Sequence, residues 1–260
     1  MRGAKVGQGM EIAGRGRAVF WPGGSLWLAR ISGTSVWHRH HAIQVCLPLD
    51  GPAQLQTERD GAWTEHAGAL FASDVPHGFR APGRLAVNIL VAPESRLGRG
   101  LRAVMEAAGF IDLPEPVVAP LRALFAGGQG LAEDELVARS WRAIAALAGG
   151  DPPKTASDPR IQIAVDTIRS RLGEPVRLDE MAEIAGLSPG RFRHLFVAET
   201  GVGLRAFMLW ERLNLALSIG FGGQSWTAAA HAAHFSDSAH LTRTCRRMLG
   251  FAPSAARPER

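Results

Sequence analysis

The sequence is short of lysine, of cysteine and of long apolar runs, and each shortage narrows what the protein can be. Among 29 basic residues only Lys5 and Lys154 are lysines, so nearly every cation is an arginine. The planar guanidinium fork favours bidentate contact with phosphate or guanine, although a genome rich in G and C produces the same bias. The two cysteines, Cys46 and Cys245, stand far apart and form no metal or redox spacing. That excludes a disulfide framework and predicts a reduced, cytoplasmic protein. No run approaches the roughly 20 apolar residues of a membrane span, so no membrane partner is expected. Met1 to Met10 has no apolar core of the kind a secretory signal needs.

What is present divides into two halves. A chain of 260 residues has room for two domains, each with its own core. The formal charge of +5 is uneven, with 13 arginines against 9 acidic residues over 160–260, but 16 basic against 15 acidic residues over 1–159.

Within the basic half, two segments have the same grammar. Leu178 to Phe196 and Trp226 to Cys245 each read as a short helix, a tight turn closing on an apolar residue and a serine, then a second helix. In the first, Met181, Ile184 and Ala185 fall at helical spacing and predict a buried face. Gly186 supplies positive φ at the turn, Leu187 plugs the angle, Ser188 is the expected N-cap and Pro189 the first helical residue. Phe192, Leu195 and Phe196 mark the buried face of the second helix, leaving Arg191, Arg193 and His194 outward. In the second segment Ser236 is the expected N-cap, with Asp237 favourably placed against the helix dipole. Leu241, Cys245, Met248 and Leu249 form the buried stripe, and Ser238, His240, Thr242, Arg243, Arg246 and Arg247 lie largely elsewhere. His234 occupies the turn position held by Gly186, and histidine visits positive φ less readily than glycine. Gly201 and Gly250 are expected helix stops. Between the segments, Leu204 to Phe221 reads as one long helix that would hold the two second helices in a fixed relation. An ordinary helical hairpin with solvated charges explains one such segment but not its recurrence.

Residues 160–255 resemble the AraC-type DNA-binding domain of bacterial transcriptional regulators. The resemblance rests on Ala185-Gly-Leu-Ser-Pro189, on Phe196 with Glu199-Thr-Gly201, on Arg212-Leu213, and on Phe235-Ser-Asp237 with His240, Arg243 and Gly250 through Pro253. The sequence departs from that pattern at His234 (usually glycine), Cys245 and Leu249 (usually phenylalanine) and Leu204 (usually proline). The resemblance implies double-stranded DNA as partner, RNA polymerase as a second, and two helices reading successive major grooves. Arg191, Arg193 and His194, with Ser238, His240, Thr242 and Arg243, are the expected base readers, and Arg246 and Arg247 the expected phosphate contacts.

From Ala18 to about Ala92 the pattern changes to short strands broken by glycine, proline and aspartate, expected at 25–32, 35–41, 43–49, 53–58, 62–72 and 85–91. Ile43-Gln-Val-Cys-Leu47 is apolar on both faces, which suits a closed barrel covered by other elements. Helices are expected at roughly 95–108, 117–126 and 131–148. The stripe Val137, Trp141, Ile144, Ala145 and Leu147 either covers the barrel or forms a homodimer seam. Residues 149–159 read as a linker by composition.

Gly33-x4-His38-x-His40-x3-Gln44-x6-Gly51 is similar to the first cupin motif, with Gln44 in the place of glutamate, and Pro76-His77 stands where a second motif supplies another histidine. Alternation in a strand puts His38 and His40 on one face, with His41 opposite. Three imidazoles and an amide suit a divalent Zn, Fe or Mn ion. The same four residues equally suit the polar lining of an effector pocket, or hydrogen-bonded core histidines. Sensor domains of AraC-type regulators are often cupin-like, so the resemblance implies small-molecule sensing.

The expected fold is therefore α+β and two-domain. A cupin-like β-barrel with flanking helices occupies 15–148, a linker 149–159, and an all-α double helix-turn-helix domain 160–255. The expected function is a DNA-binding transcriptional regulator, without catalytic residues or an obligatory cofactor, controlled by an effector held among His38, His40, Gln44 and His77. The rival is a cupin metalloenzyme or metal sensor built on His38, His40 and His77.

Overall fold

A computed structural model describes residues 12–105, 108–150 and 157–258. Met1 to Met10, read above for a signal, lie outside the described residues, as do 151–156 of the expected linker. The first half is β1 (Ala13–Trp21), β2 (Gly24–Thr34), β3 (Ile43–Pro48), β4 (Ala53–Gln56), β5 (Thr64–His66), β6 (Gly68–Phe71) and β7 (Gly78–Val91), then α1 (Arg96–Met105), β8 (Phe110–Leu113), α2 (Glu115–Leu124) and α3 (Glu133–Leu147). The second half is helical: α4 (Pro159–Ser170), α5 (Leu178–Ile184), α6 (Pro189–Thr200), α7 (Leu204–Phe221), α8 (Trp226–Ala232) and α9 (Ser238–Leu249), closed by a short β9 (Ala256–Pro258). None of the helices among the described residues is long and apolar enough to cross a membrane.

The sheet runs β8-β6-β3-β7-β2-β1-β9, with β4 bonded to β5 and β7. It is the expected cupin-like layer, but the ring of hydrogen bonds is not closed, because the path ends on β8 and β9. The long β7 organises it, pairing with β2 along its length and with β4 and then β3 on its other side. Every residue of β3 is buried, as its two-sided apolar pattern requires. Ile43, Val45 and Leu47 join the core under α1, α2 and α3 with Leu101, Val118, Leu121 and Ile144. Cys46 faces the other way, into a cluster with Leu55, Phe71 and Phe79.

Several expected elements are corrected. Residues 35–41 are not a strand: Ser35 N donates to Phe79 O, Val36 N to Gly250 O and His38 N to His77 O, so no register runs through consecutive residues. Side-chain hydrogen bonds from the histidines to nearby carbonyls compete there with a regular ladder. The expected strand 62–72 is two short strands, and 85–91 is the end of a strand twice as long. β1, β8 and β9 were not expected. In α3 the stripe covers the sheet through Ile144, with Val137 and Leu147 packed beside it, while Trp141 is 48% exposed.

The helical half has two cores threaded by one helix. α7 has 18 residues, about 27 Å at the usual rise. Its first half (Leu204, Phe207, Met208) packs with Ile161, Met181, Phe192 and Phe196. Its second half (Trp210, Leu213, Ala216, Leu217) packs with Ala230, Phe235, Leu241 and Cys245, and with Ala42 and Leu90 of the first half of the chain. The α8–α9 pair thus shares a core with the sheet, and the parallel pairing of β9 with β1 fastens the same end.

Candidate nucleic-acid interface and buried histidine cluster

The two helix pairs are built by the same hydrogen bonds. In the α5–α6 turn, Gly186 N donates to Glu183 O (2.9 Å) and Leu187 N to Ala182 O (2.8 Å). In the α8–α9 turn, His234 N donates to His231 O (3.0 Å) and Phe235 N to Ala230 O (2.9 Å). Gly186 has φ +62° and His234 φ +59°, so the histidine does take the left-handed conformation that glycine takes in the first turn. Ser188 caps α6, accepting from Arg191 N, with Pro189 following. The second pair departs here. Asp237, not Ser236, caps α9, accepting from His240 N at 2.6 Å, and Ser236 Oγ lies against Asp237 Oδ2 and His240 Nδ1. A carboxylate is the stronger partner for the exposed N–H groups of a helix start, which moves the start one residue along.

Arg191, Arg193 and His194 are exposed on α6, opposite buried Phe192 and Phe196. On α9, Arg243, Arg246 and Arg247 are exposed, while Ser238, His240 and Thr242 are half-buried. His240 packs edge-on against Phe235, and Thr242 Oγ1 donates to Ser238 O. Leu241, Cys245 and Leu249 are buried and Met248 half-buried, as the stripe predicts. Ile184 is corrected: it is 40% exposed, because Met181, Ala182 and Ala185 centre the buried face of the short α5 and Ile184 falls about 110° away from it.

Inside the first half of the chain, His38, His40 and His77 meet, all buried, each offering a ligand atom within 4.8 Å of the others. Gln44 Oε1 lies 2.9 Å from His40 Nε2 and 3.2 Å from His77 Nε2, and Gln44 Nε2 donates to Asn88 Oδ1. Burial lowers the pKa of all three histidines, that of His38 to about 3, so they are neutral. Phe71 stacks on His77 and Trp210 lies over His40. His38, His40 and Gln44 floor an apolar cavity of about 100 Å³ that extends between the sheet and the last helix, past Trp27, Phe221, Leu249 and Phe251. Cys46 and Cys245 are buried free thiols, and burial pushes the Cys46 thiol up to about 12.

His41 faces away from this cluster but is itself buried, its Nε2 2.9 Å from Glu94 Oε2. Glu94 Oε1 and Glu211 Oε1 both accept from Arg169 Nη2, at 2.8 Å and 3.0 Å. Burial opposes ionisation of Glu94, but the hydrogen bond from His41 and the charge of Arg169 outweigh it and hold its carboxyl below the usual range. Sequence reasoning missed this network. Its members come from two helices and two connecting segments far apart in the chain, and a lone buried charge leaves no periodic signal.

Two helix-turn-helix units strung on one helix and docked on a cupin-like sheet make a two-domain architecture. Residues 181–259 match the family described as a helix-turn-helix domain, and the chain as a whole has a two-domain fold similar to that of ToxT. ToxT from Vibrio cholerae is similar over 89% of this chain and 97% of its own, at 11% identity and a TM-score of 0.57. ToxT of strain SCE256 with an unsaturated fatty acid bound is similar over 98% of this chain and 96% of its own, at 9% identity and a TM-score of 0.54. At these identities the likeness is one of fold. A regulator from Chromobacterium violaceum, of the AraC-type DNA-binding domain-containing proteins, is 26% identical over 37% of this chain and 87% of its own, with a TM-score of 0.36. No curated protein matches the chain.

Proposed function

We propose that this protein is a transcriptional regulator that reads two successive major grooves with α6 and α9 and is controlled by a small ligand at the sheet. The observation that carries the reading is the repeated turn, which twice leaves arginines on the outer face of a helix whose inner face is buried. Arg191, Arg193, His194 and Arg243 are the direct readers. His240 and Thr242, whose side chains already bond within their own chain, add contacts at the rim together with Ser238, and Arg246 and Arg247 meet phosphate. RNA polymerase as partner, a homodimer and a cytoplasmic location belong to the same reading.

Arg243→Ala is expected to lower preference for a selected site by about 1–3 kcal/mol while leaving non-specific affinity nearly unchanged. Binding selection from a random duplex library, followed by titration of wild type and variant on the winning and scrambled sites, measures this. Equal loss on both sequences moves Arg243 to the phosphate class, and binding that ignores both sequence and salt removes the two-groove reading.

Ligand control is supported by the cavity between the sheet and α9, and by the fold shared with ToxT, whose structure with an unsaturated fatty acid gives a protein of similar fold with a bound small molecule. At about 100 Å³ the cavity is well below the roughly 300–1,000 Å³ of sites for drug-sized ligands. It fits a small group as it stands. A ligand controls DNA binding only by binding the two states unequally, so a ligand that leaves DNA affinity unchanged counts against control.

A further inference from the structure

A second cavity, of about 280 Å³, opens where the two halves of the chain meet, between the β1–β2 turn, the end of α4 and the middle of α7. It contains none of the clustered histidines, and Leu90 of β7 is the wall it shares with the cavity beside them. Two glycines shape the turn. Gly23 has φ +82°, and a Cβ on it would stand 3.6 Å from Arg169 Nη2, while a Cβ on Gly24 would meet the Trp21 indole at 2.5 Å. The turn therefore folds Trp21 back over Gly24 and brings the backbone of the first half up to the guanidinium of the second.

The walls are largely apolar, with Trp21, Trp210 and Leu215, and the side chains of Arg169, Glu211 and Asn214 converge on them. Arg169 gives Nη2 to both Glu94 and Glu211, yet its Nε is buried without a hydrogen-bond partner among the described residues. A buried donor of this kind calls for an acceptor. Asn214 donates Nδ2 to Trp210 O, which leaves its amide oxygen to accept. Glu211 Oε1 takes a bond from Arg169, and a carboxylate has room for about four. These groups select by charge. The guanidinium is already matched by two carboxylates, so a third, on a ligand, would meet Glu94 and Glu211 with no spare cation to receive it. An ammonium would suit the carboxylates but offers no acceptor to the Arg169 N–H. A neutral carboxamide offers both an acceptor and a donor.

We propose that this cleft binds a small neutral carboxamide with an apolar body. The amide oxygen accepts from Arg169 Nε, the NH₂ donates to Asn214 Oδ1 and Glu211, and the body packs against Trp21, Trp210 and Leu215. At about 280 Å³ the space lies at the lower end of the range for small-molecule sites, which suits a ligand of roughly ten heavy atoms. Such a ligand touches the sheet, α4 and α7 at once. The site is additional to the ligand control proposed above, which uses the smaller cavity, and does not rest on it.

The test adds three compounds of similar shape and different charge, phenylacetamide, phenylacetate and phenethylammonium, to the full-length protein without DNA. Proton–nitrogen correlation spectra follow the Arg169 Nε–H and the Trp21 and Trp27 indole N–H groups, assigned with Arg169→Lys, Trp21→Phe and Trp27→Phe. Phenylacetamide should shift the Arg169 and Trp21 signals saturably, with Kd on the order of 1 mM for a ligand of this size, and Trp27, which lines the smaller cavity, much less. Phenylacetate and phenethylammonium should each bind at least about 10-fold more weakly. Ser218→Trp, at an exposed position on the rim, should fill the cleft and displace the amide. Glu211→Gln should narrow the preference for amide over acid, because it removes a like charge. No saturable shift up to about 10 mM amide, roughly ten times the expected Kd, overturns the site and leaves solvent water as the partner of Arg169 Nε. Phenylacetate binding as tightly as the amide overturns the ligand class. Larger shifts at Trp27 than at Trp21 put the amide in the smaller cavity and overturn the site, as does unchanged binding in folded Ser218→Trp. Should that variant not fold, the wild-type Arg169 and Trp21 signals decide alone. Because no DNA is present and Trp27 reports the smaller cavity separately, failure of either earlier reading is not mistaken for failure of this one.

Discussion

Glu94→Ala should destabilise the protein by about 3–5 kcal/mol, the usual cost of removing one partner from a buried ion pair. The Glu94 and His41 side chains are each 3% exposed, and Arg169 is only 18% exposed, so water cannot replace the lost carboxylate at either partner. Arg169 keeps Glu211 at 3.0 Å, which places the loss toward the lower end of that range. Glu94→Gln should cost less: an amide oxygen still accepts from Arg169, but its NH₂ cannot accept from His41. Urea unfolding followed by tryptophan fluorescence reads the difference, since Trp210 lies against His41. A loss under about 1 kcal/mol in the alanine variant would mean the pair behaves like an exposed one.

The same group sets an acid limit. The Glu94 carboxyl is held below its ordinary value near 4.5 in the folded protein, so it binds a proton more readily unfolded than folded. Its contribution is fully present above about pH 4.5 and is lost as pH falls through the lower folded value. Unfolding midpoints measured from neutral pH downward should therefore drop in the wild type and flatten in Glu94→Gln. Parallel curves would assign the acid sensitivity to other carboxylates.

How much of this was legible in the sequence depends on the range of the interaction. Five of the six helices of the second half were readable because period, cap and stop are local: Ser188-Pro189 starts α6, and Gly201 and Gly250 end their helices with φ +81° and +79°; α4 was not singled out in the sequence. The one cap misread, Ser236 for Asp237, was a choice between adjacent good candidates, decided by a carboxylate already in place. Strands were harder. β1 begins Ala13-Gly-Arg-Gly-Arg17, with two glycines and no apolar alternation, and exists because β2 pairs with it along its whole length. β9 is three residues that become a strand only against Gly14 to Gly16. The histidine cluster was readable from motif spacing even though 35–41 is not a strand, because the backbone bridge of His38 to His77 and the bond of Val36 to Gly250 hold the rings where alternation would have put them. The Glu94 network was not readable, because what makes it is burial between elements far apart in the chain.

Gly250→Ala should cost far more than the same change at Gly201, although both glycines end the second helix of a pair in the left-handed conformation. At Gly201 an added Cβ meets nothing within 4 Å, so only the backbone term remains, about 1–2 kcal/mol for a side chain in that region. At Gly250 the Cβ would come within 2.6 Å of His38 Nδ1 and 2.9 Å of Ser35 Cβ, adding about 1–3 kcal/mol for overpacking. Ser35 and His38 cannot retreat cheaply. Ser35 N is bonded to Phe79 O, and His38 shares a backbone bridge with His77, so relief must come from α9 lifting off the sheet. Urea unfolding of the two variants measures the gap, and hydrogen exchange at Val36, whose N–H donates to Gly250 O, reports whether the contact opens. Equal costs at Gly250 and Gly201 would show that the end of α9 does not press on His38, and a lifted helix with unchanged stability would show that the docked form is held elsewhere, at β9 or the Trp27–Phe251 contact. In the expected case one glycine serves two ends: its φ stops the helix, and its missing side chain lets α9 rest on the histidine that anchors the buried cluster.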